Sequence, residues 1–345
     1  MKSVLSLIGL ALAFLLSFNT GATILTVSNN PNVPAQYATF DAAYTVSRAG
    51  DTLLIAASAN FYSATSAITK RLVIMGPGLN PSTAIVSASQ RLRAQFSTIS
   101  VDSNNFGAGH GTHLIGLVVS SSISLGSSGS ARDVIITDCE TGGIYAYNST
   151  KNIVVKNCIF GTIYFVGNTV RSSVTVTNNI IEGTLYGARN RDLIANNLFI
   201  RNSAQIFSNV DGATIINNIF QGAAPIGAIN STFNNNLYFG TGATALPYGS
   251  NIGTNNINQD PLFAGASSTS TTFDNTKDYR LQAGSPGRNA GTDGTNIGPT
   301  GGSYPWYHQL SDNGQLPYVE MLNVLNPSVA PGGTLQVRVK AQKGR

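Results

Sequence analysis

Residues 174 to 181 read Val174-Thr175-Val176-Thr177-Asn178-Asn179-Ile180-Ile181, and the pattern returns as Leu193-Ile194-Ala195-Asn196-Asn197-Leu198-Phe199 and as Thr214-Ile215-Ile216-Asn217-Asn218-Ile219-Phe220. Each copy is an apolar run, a pair of asparagines and an apolar pair. Working outward, the same position holds Asp138-Cys139 and Asn157-Cys158 upstream, then Asn235-Asn236 and, more faintly, Asn255-Asn256 downstream. Successive pairs are 19, 21, 18, 21, 18 and 20 residues apart. That period is too short for ankyrin, TPR or propeller units and suits one turn of a β-solenoid.

The expected turn has three short strands, for example Ile144-Tyr145-Ala146-Tyr147, then Ile153-Val154-Val155-Lys156, then Ile159-Phe160. Alternation in 174 to 177 points Val174 and Val176 inward and both threonines outward. The Asn pair makes the corner between the second and third strands. Parallel stacking then puts corner above corner, where side-chain amides donate and accept along the axis as a ladder. Parallel crossovers are overwhelmingly right-handed. The fold class is therefore all-β, a right-handed parallel β-helix with about 20 residues per rung and about eleven rungs between residues 50 and 265.

Earlier turns are degenerate but visible in Asp51-Thr52-Leu53-Leu54-Ile55, Arg71-Leu72-Val73-Ile74-Met75-Gly76 and Leu114-Ile115-Gly116-Leu117-Val118-Val119. Before them, Tyr37, Phe40, Ala43 and Tyr44 have helical spacing that ends at Gly50, an amphipathic helix suited to cap the open apolar end. Cys139 and Cys158 share one repeat position, about 4.8 Å apart along the axis. That separation allows a disulfide, whereas parallel Cβ vectors favour two stacked free thiols, and both readings stay open.

Residues 1–22 carry Lys2, an apolar run from Val4 to Leu16 and a small-residue site ending at Ala22, the features of a secretory signal peptide. The expected organisation is that leader, a β-helix domain with its cap over 23–303, and a tail over 304–345. The tail changes character at Trp306, Tyr307 and Pro317 and is either a β segment packed back on the solenoid or the start of an attachment module. Charged residues are 10% of the chain and its formal net charge is +5. The basic residues are scattered apart from Arg91 with Arg93 and Arg189 with Arg191, so nucleic-acid binding is not indicated. After signal removal no run is long enough to span a membrane. The expected product is secreted, extracellular or on the cell surface.

Three segments resemble the secreted bacterial right-handed β-helix proteins of the pectin-lyase-like superfamily. They are Ala49-Gly50-Asp51-Thr52-Leu53, then Ile68-Thr69-Lys70-Arg71 through Gly76-Pro77-Gly78, and Asp260-Pro261-Leu262-Phe263 through Tyr279-Arg280-Leu281 and Gly284-Ser285-Pro286 to Ala290-Gly291. The resemblance covers most of residues 24 to 300. It implies the fold and, for the third segment, terminal rungs, but it does not specify an activity.

Resemblance to polygalacturonases would imply clustered carboxylates, a histidine and a basic residue. Gly109-His110-Gly111 looks like one piece, but no paired aspartates precede it, and a Gly-rich loop from Phe106 to His113 accounts for it. Resemblance to pectate lyases would imply a calcium site of several carboxylates with an arginine base. Asp133 and Asp138 are close in sequence, but Asp192 and Asp211 head different rungs as turn formers. Asp138, Glu140 and Glu182 are the remaining carboxylates of the central rungs and read as solvated corners or edges. No catalytic residue, metal ligand or cofactor site is assigned.

The positive signal is Ile144-Tyr145, Ile163-Tyr164, Leu185-Tyr186 and Ile206-Phe207. An inward aliphatic member turns its neighbour outward, which predicts a column of Tyr145, Tyr164, Tyr186 and Phe207 along one face. Aromatic faces stack on sugar rings, and in related β-helix enzymes this face carries the polysaccharide. A self-stacking ladder and burial beneath the tail are the alternatives. Arg189 and Arg191 lie just beyond Tyr186, where they are able to meet an acidic sugar or to serve as a solvated turn. The expected function is binding or display on an extracellular surface through polysaccharide contacts, and the competing one is a polysaccharide lyase or glycoside hydrolase acting on an acidic polysaccharide.

Overall fold

The computed structural model describes residues 22–79, 92–102, 111–147, 150–165, 173–201, 205–240, 245–306, 317–324 and 337–343, the last two stretches as backbone alone. Residues 1–21 of the expected leader, Arg91 and His110 lie outside these. The chain forms a parallel β-solenoid of about 8 turns with about 21 residues per turn.

A first sheet of ten strands begins at Ile24–Val27 and Thr52–Ile55 and ends at Thr214–Ile216 and Thr232–Asn234. A second sheet of eleven strands runs from Gln95–Val101 to Ile257–Asn258. Pairing is parallel and in the register that the repeat demands: Val174 faces Ile153, and Thr175 faces Leu193. Inward side chains such as Val155, Val176, Ile194 and Ile215 are fully buried and form one continuous core. Two strands of a smaller sheet, Val210–Asp211 and Ala228–Ile229, line a third side, and Pro317–Val324 pairs antiparallel with Val337–Lys343.

Two expectations change. Turns are fewer than eleven because neighbouring first-sheet strands Val73–Met75 and His113–Ile115 are separated by a long excursion, and because the chain leaves the stack after Ile257–Asn258. Also, the expected third strand and the first strand of the next rung are one continuous strand, as in Ile159–Phe165. No tight turn separates Phe160 from Ile163. The joint passes through Gly161, where an added Cβ would stand 2.5 Å from the carbonyl oxygen of Gly142 in the rung below. Only glycine allows the rungs to close that far.

The helix forms at Phe40–Val46, with Thr39 accepting from the Ala42 amide as its N-cap. Phe40 and Ala43 are buried in the core, and the Phe40 ring meets Phe96 edge-on at 5.4 Å.

The two asparagines of each pair do different work. The first member takes the left-handed conformation, at φ 55° for Asn178 and Asn196, 57° for Asn217 and 53° for Asn235. Asparagine tolerates that region better than most residues. The second member points inward. The Nδ2 of Asn179, Asn197 and Asn218 donates to Oδ1 of Asn197, Asn218 and Asn236 at 3.0, 2.9 and 3.1 Å. Cys139 and Cys158 occupy this inner column as buried free thiols.

Residues 260 to 306 are not terminal rungs. They fold back along the outside of the second sheet, where Phe263, Tyr279, Leu281, Ile297 and Trp306 cover the outward column Ile159, Ile180, Leu198, Ile219 and Leu237. The outer asparagines hold this strap. Asn235 Nδ2 donates to the carbonyl of Ala290, Asn217 to Thr292 Oγ1, Asn178 to the carbonyls of Pro299 and Gly301, and Asn157 to that of Tyr304, at 2.7–3.0 Å. The strap therefore advances in sequence as it retreats along the solenoid.

Candidate functional site

Cross-strand register decides which aromatic rings share the outer face of the second sheet. Tyr145 pairs with Tyr164 and Tyr164 with Tyr186. All three are half-buried, while Ile144, Ile163 and Leu185 beside them are fully inside. The Tyr164 and Tyr186 rings stack at 4.2 Å between centroids and 13°, and Tyr145 follows at 6.2 Å. The Tyr186 hydroxyl beside it, followed by a small effect of burial, raises the Tyr164 phenol above its ordinary value. Tyr147 extends the strip, its ring 6.5 Å from that of Tyr145.

Phe207 does not belong to the column. It pairs with Leu185, not Tyr186, and is fully buried among Phe199, Phe220 and Phe233 at 5.6–6.1 Å. Ser208 stands outside in its place. Ten residues separate Asn197 from Phe207, against six from Asn179 to Leu185. That surplus of four leaves a two-residue phase unchanged; what fails is strict alternation, because Ile206 and Phe207 are both fully buried and Phe207 takes the inward place beside Leu185.

Arg189 and Arg191 follow Tyr186 into the next corner. Arg189 Nη1 donates to the Asn209 carbonyl at 2.6 Å, and Arg191 is exposed in a left-handed conformation, φ 78°. Both occupy turn positions.

On the same strands as the tyrosines, about 10 Å away at the rise of ~3.3 Å per residue, lies a cleft of about 310 Å³. Its floor is Gly142 and Gly161, and Glu140 and Glu182 stand in its walls. Glu140 shares the outward column of Ile159 and is the first member that the strap leaves uncovered. Its carboxylate is paired with Arg93, and that of Glu182 accepts the Phe273 amide at 3.0 Å. Both carboxylates are thus held by structural partners.

His113 lies in a strand of the first sheet, not in a loop, on a different sheet from the tyrosines. Asp138 takes the left-handed corner conformation. Burial, only partly opposed by Thr137 and Lys156, holds its carboxyl above the usual value. Among the described residues no group of three or more His, Cys, Asp or Glu side chains is placed to hold a metal ion, and no helix is long and apolar enough to cross a membrane.

No protein-family model matches the chain, and no curated protein matches it in sequence.

Proposed function

We propose that this is an exported, non-catalytic β-helix protein of pectin-lyase-like character that binds polysaccharide on an extracellular surface. The observation that carries the reading is the strip of Tyr145, Tyr164 and Tyr186. These are three phenol rings in one register, Tyr164 and Tyr186 stacked and Tyr145 tilted beside them, and all three are still partly open to solvent. The glycine-floored cleft beside them supplies a groove for a chain that runs across the rungs. Aromatic surface of this extent is retained where a partner covers it.

The test incubates the chain with a panel of neutral and acidic polysaccharides, following retention, new reducing ends and unsaturated products together. Retention without products is expected, and its loss on truncating Tyr164 and Tyr186 would assign it to the strip. Reducing ends would instead make the chain a glycoside hydrolase, and unsaturated ends a polysaccharide lyase, with Glu140 and Glu182 the first residues to replace.

A further inference from the structure

A second cleft, of about 580 Å³, opens on the outer face of the first sheet, away from the tyrosine strip. Its lining includes Gly50, Arg71, Gly111, His113, Asp133 and Ile135. Register explains the convergence of residues so distant in sequence. Thr52, Val73, His113 and Ile135 pair in succession, so the positions two residues earlier, Gly50, Arg71, Gly111 and Asp133, form the adjacent column. Arg71 thus has a glycine in the rung below and another in the rung above. Its stem lies along the upper one, with Cδ 3.6 Å from where a Gly111 Cβ would be. Its guanidinium stands in a gap two strand spacings tall, about 10 Å.

Arg71 is exposed, and no carboxylate among the described residues pairs with it. The Asp133 carboxylate accepts Asn152 Nδ2 at 2.8 Å. His113 projects outward between Val73 and Ile135, whose half-buried side chains give the cleft an apolar floor. We infer that this cleft is an anion-binding site for an acidic saccharide, in which Arg71 takes the carboxylate or sulfate group, His113 donates a second hydrogen bond and Val73 and Ile135 carry the apolar face of the sugar. The volume is that of a small-ligand site, and a planar guanidinium matches a carboxylate or sulfate with two parallel hydrogen bonds.

The charges around His113 give the site a pH dependence. Burial holds the imidazole below its ordinary value of 6.5, and the positive charges of Arg71, two residues before the strand on one side, and Lys156, two strands to the other, add to this. Asp133, from the segment leading into the neighbouring strand, is the opposing charge in the cleft. At neutral pH the imidazole is uncharged. An anion seated between Arg71 and His113 replaces like-charge repulsion by attraction, so binding takes up a proton and tightens as pH falls through the histidine's titration.

The experiment follows the His113 ring resonances of the labelled full chain through a pH titration. It is run alone and with an oligogalacturonate, a sulfated oligosaccharide of similar length and a neutral cello-oligosaccharide. One or both anionic probes should raise the His113 midpoint by about one pH unit, and the larger response shows whether the site prefers carboxylate or sulfate. Arg71→Gln should remove that shift and weaken binding of the same probe at least tenfold, while the neutral sugar leaves His113 unmoved. A midpoint indifferent to both anions, an equal response to the neutral sugar, or unchanged affinity in Arg71→Gln would overturn the assignment. The Tyr164→Ala/Tyr186→Ala variant separates the two sites, since it should weaken retention on the strip and leave the His113 response intact.

Discussion

Asn218 Oδ1 accepts two hydrogen bonds from Asn197, one from its side-chain amide and one from its backbone N–H, both at 2.9 Å. The same double contact links Asn179 to Asn197 and Asn218 to Asn236, so each inner asparagine satisfies both the corner amide and the side chain of the rung below. In a buried column every such group needs its partner, because an unmet donor costs about 1–3 kcal/mol.

Asn218→Ala should therefore be severe. It takes the acceptor away from the Asn197 backbone N–H and from one of the two Asn197 Nδ2 contacts, and it removes Nδ2 as donor to Asn236 Oδ1 and to the carbonyls of Ile194 and Ile216, for an expected loss of about 3 kcal/mol or more. The neighbouring outer residue behaves differently. Asn217→Gly keeps the left-handed turn and loses only the pair of bonds to Thr292, whereas Asn217→Ala adds a backbone penalty of about 1–2 kcal/mol. Denaturant melts of the three variants should rank Asn217→Gly, Asn217→Ala, Asn218→Ala in increasing damage. Equal effects at 217 and 218 would contradict the division of roles.

Truncating Tyr164 and Tyr186 together should weaken polysaccharide retention by about 1–3 kcal/mol, by analogy with bases stacked on aromatic rings, and leave the melt unchanged. Phe207→Ala should do the reverse, costing about 3–5 kcal/mol of stability as a core truncation with no direct effect on the bound sugar. Affinity measured beside thermal midpoints separates the two; a stability loss in the tyrosine variant would show that the rings serve as core.

Asp51 sets an acid limit on the N-terminal turn. Burial favours its neutral form, but the amides of Arg48 and Thr23 donate to the carboxylate at 2.7 and 2.8 Å and prevail, leaving the group below its ordinary value of 3.8. Because the folded value lies below the unfolded one, this stabilisation is fully present above about pH 3.8 and disappears as pH falls through the folded value. Asp51→Asn should be less stable than the parent at neutral pH, with the gap closing below pH 4. A constant gap from pH 7 to pH 2.5 would refute the linkage.

Cys139 and Cys158 should stay reduced and inert in the folded chain. Burial first, then the Cys139 thiol, pushes Cys158 well above its usual range, so little nucleophilic thiolate forms. Alkylation with iodoacetamide should be negligible under native conditions and complete in denaturant. A native mass two hydrogen atoms lighter than the reduced chain would show a disulfide instead.

How much of this was legible depends on how local each feature is. The solenoid, its period, the inward alternation of Val174 and Val176 and the asparagine corners repeat along the chain, and each rests on backbone geometry within a few residues. Repetition converts that local geometry into a stack, so the sequence by itself determined the parallel β-helix and the existence of a ladder. It did not tell the two asparagines of a pair apart. One becomes a buried rung and the other a clasp for residues 290 to 304, and a clasp is defined by a partner 55 to 147 positions away. Phe207 went inside because cross-strand register sets it beside Leu185 while Ile206 is buried as well, so the alternation of an inward aliphatic and an outward neighbour does not hold in that turn. The strap over Ile159 to Leu237 and the meeting of Arg71, His113 and Asp133 were likewise settled only in three dimensions. Lateral packing and cross-rung register join residues whose separation in sequence carries no trace of their contact.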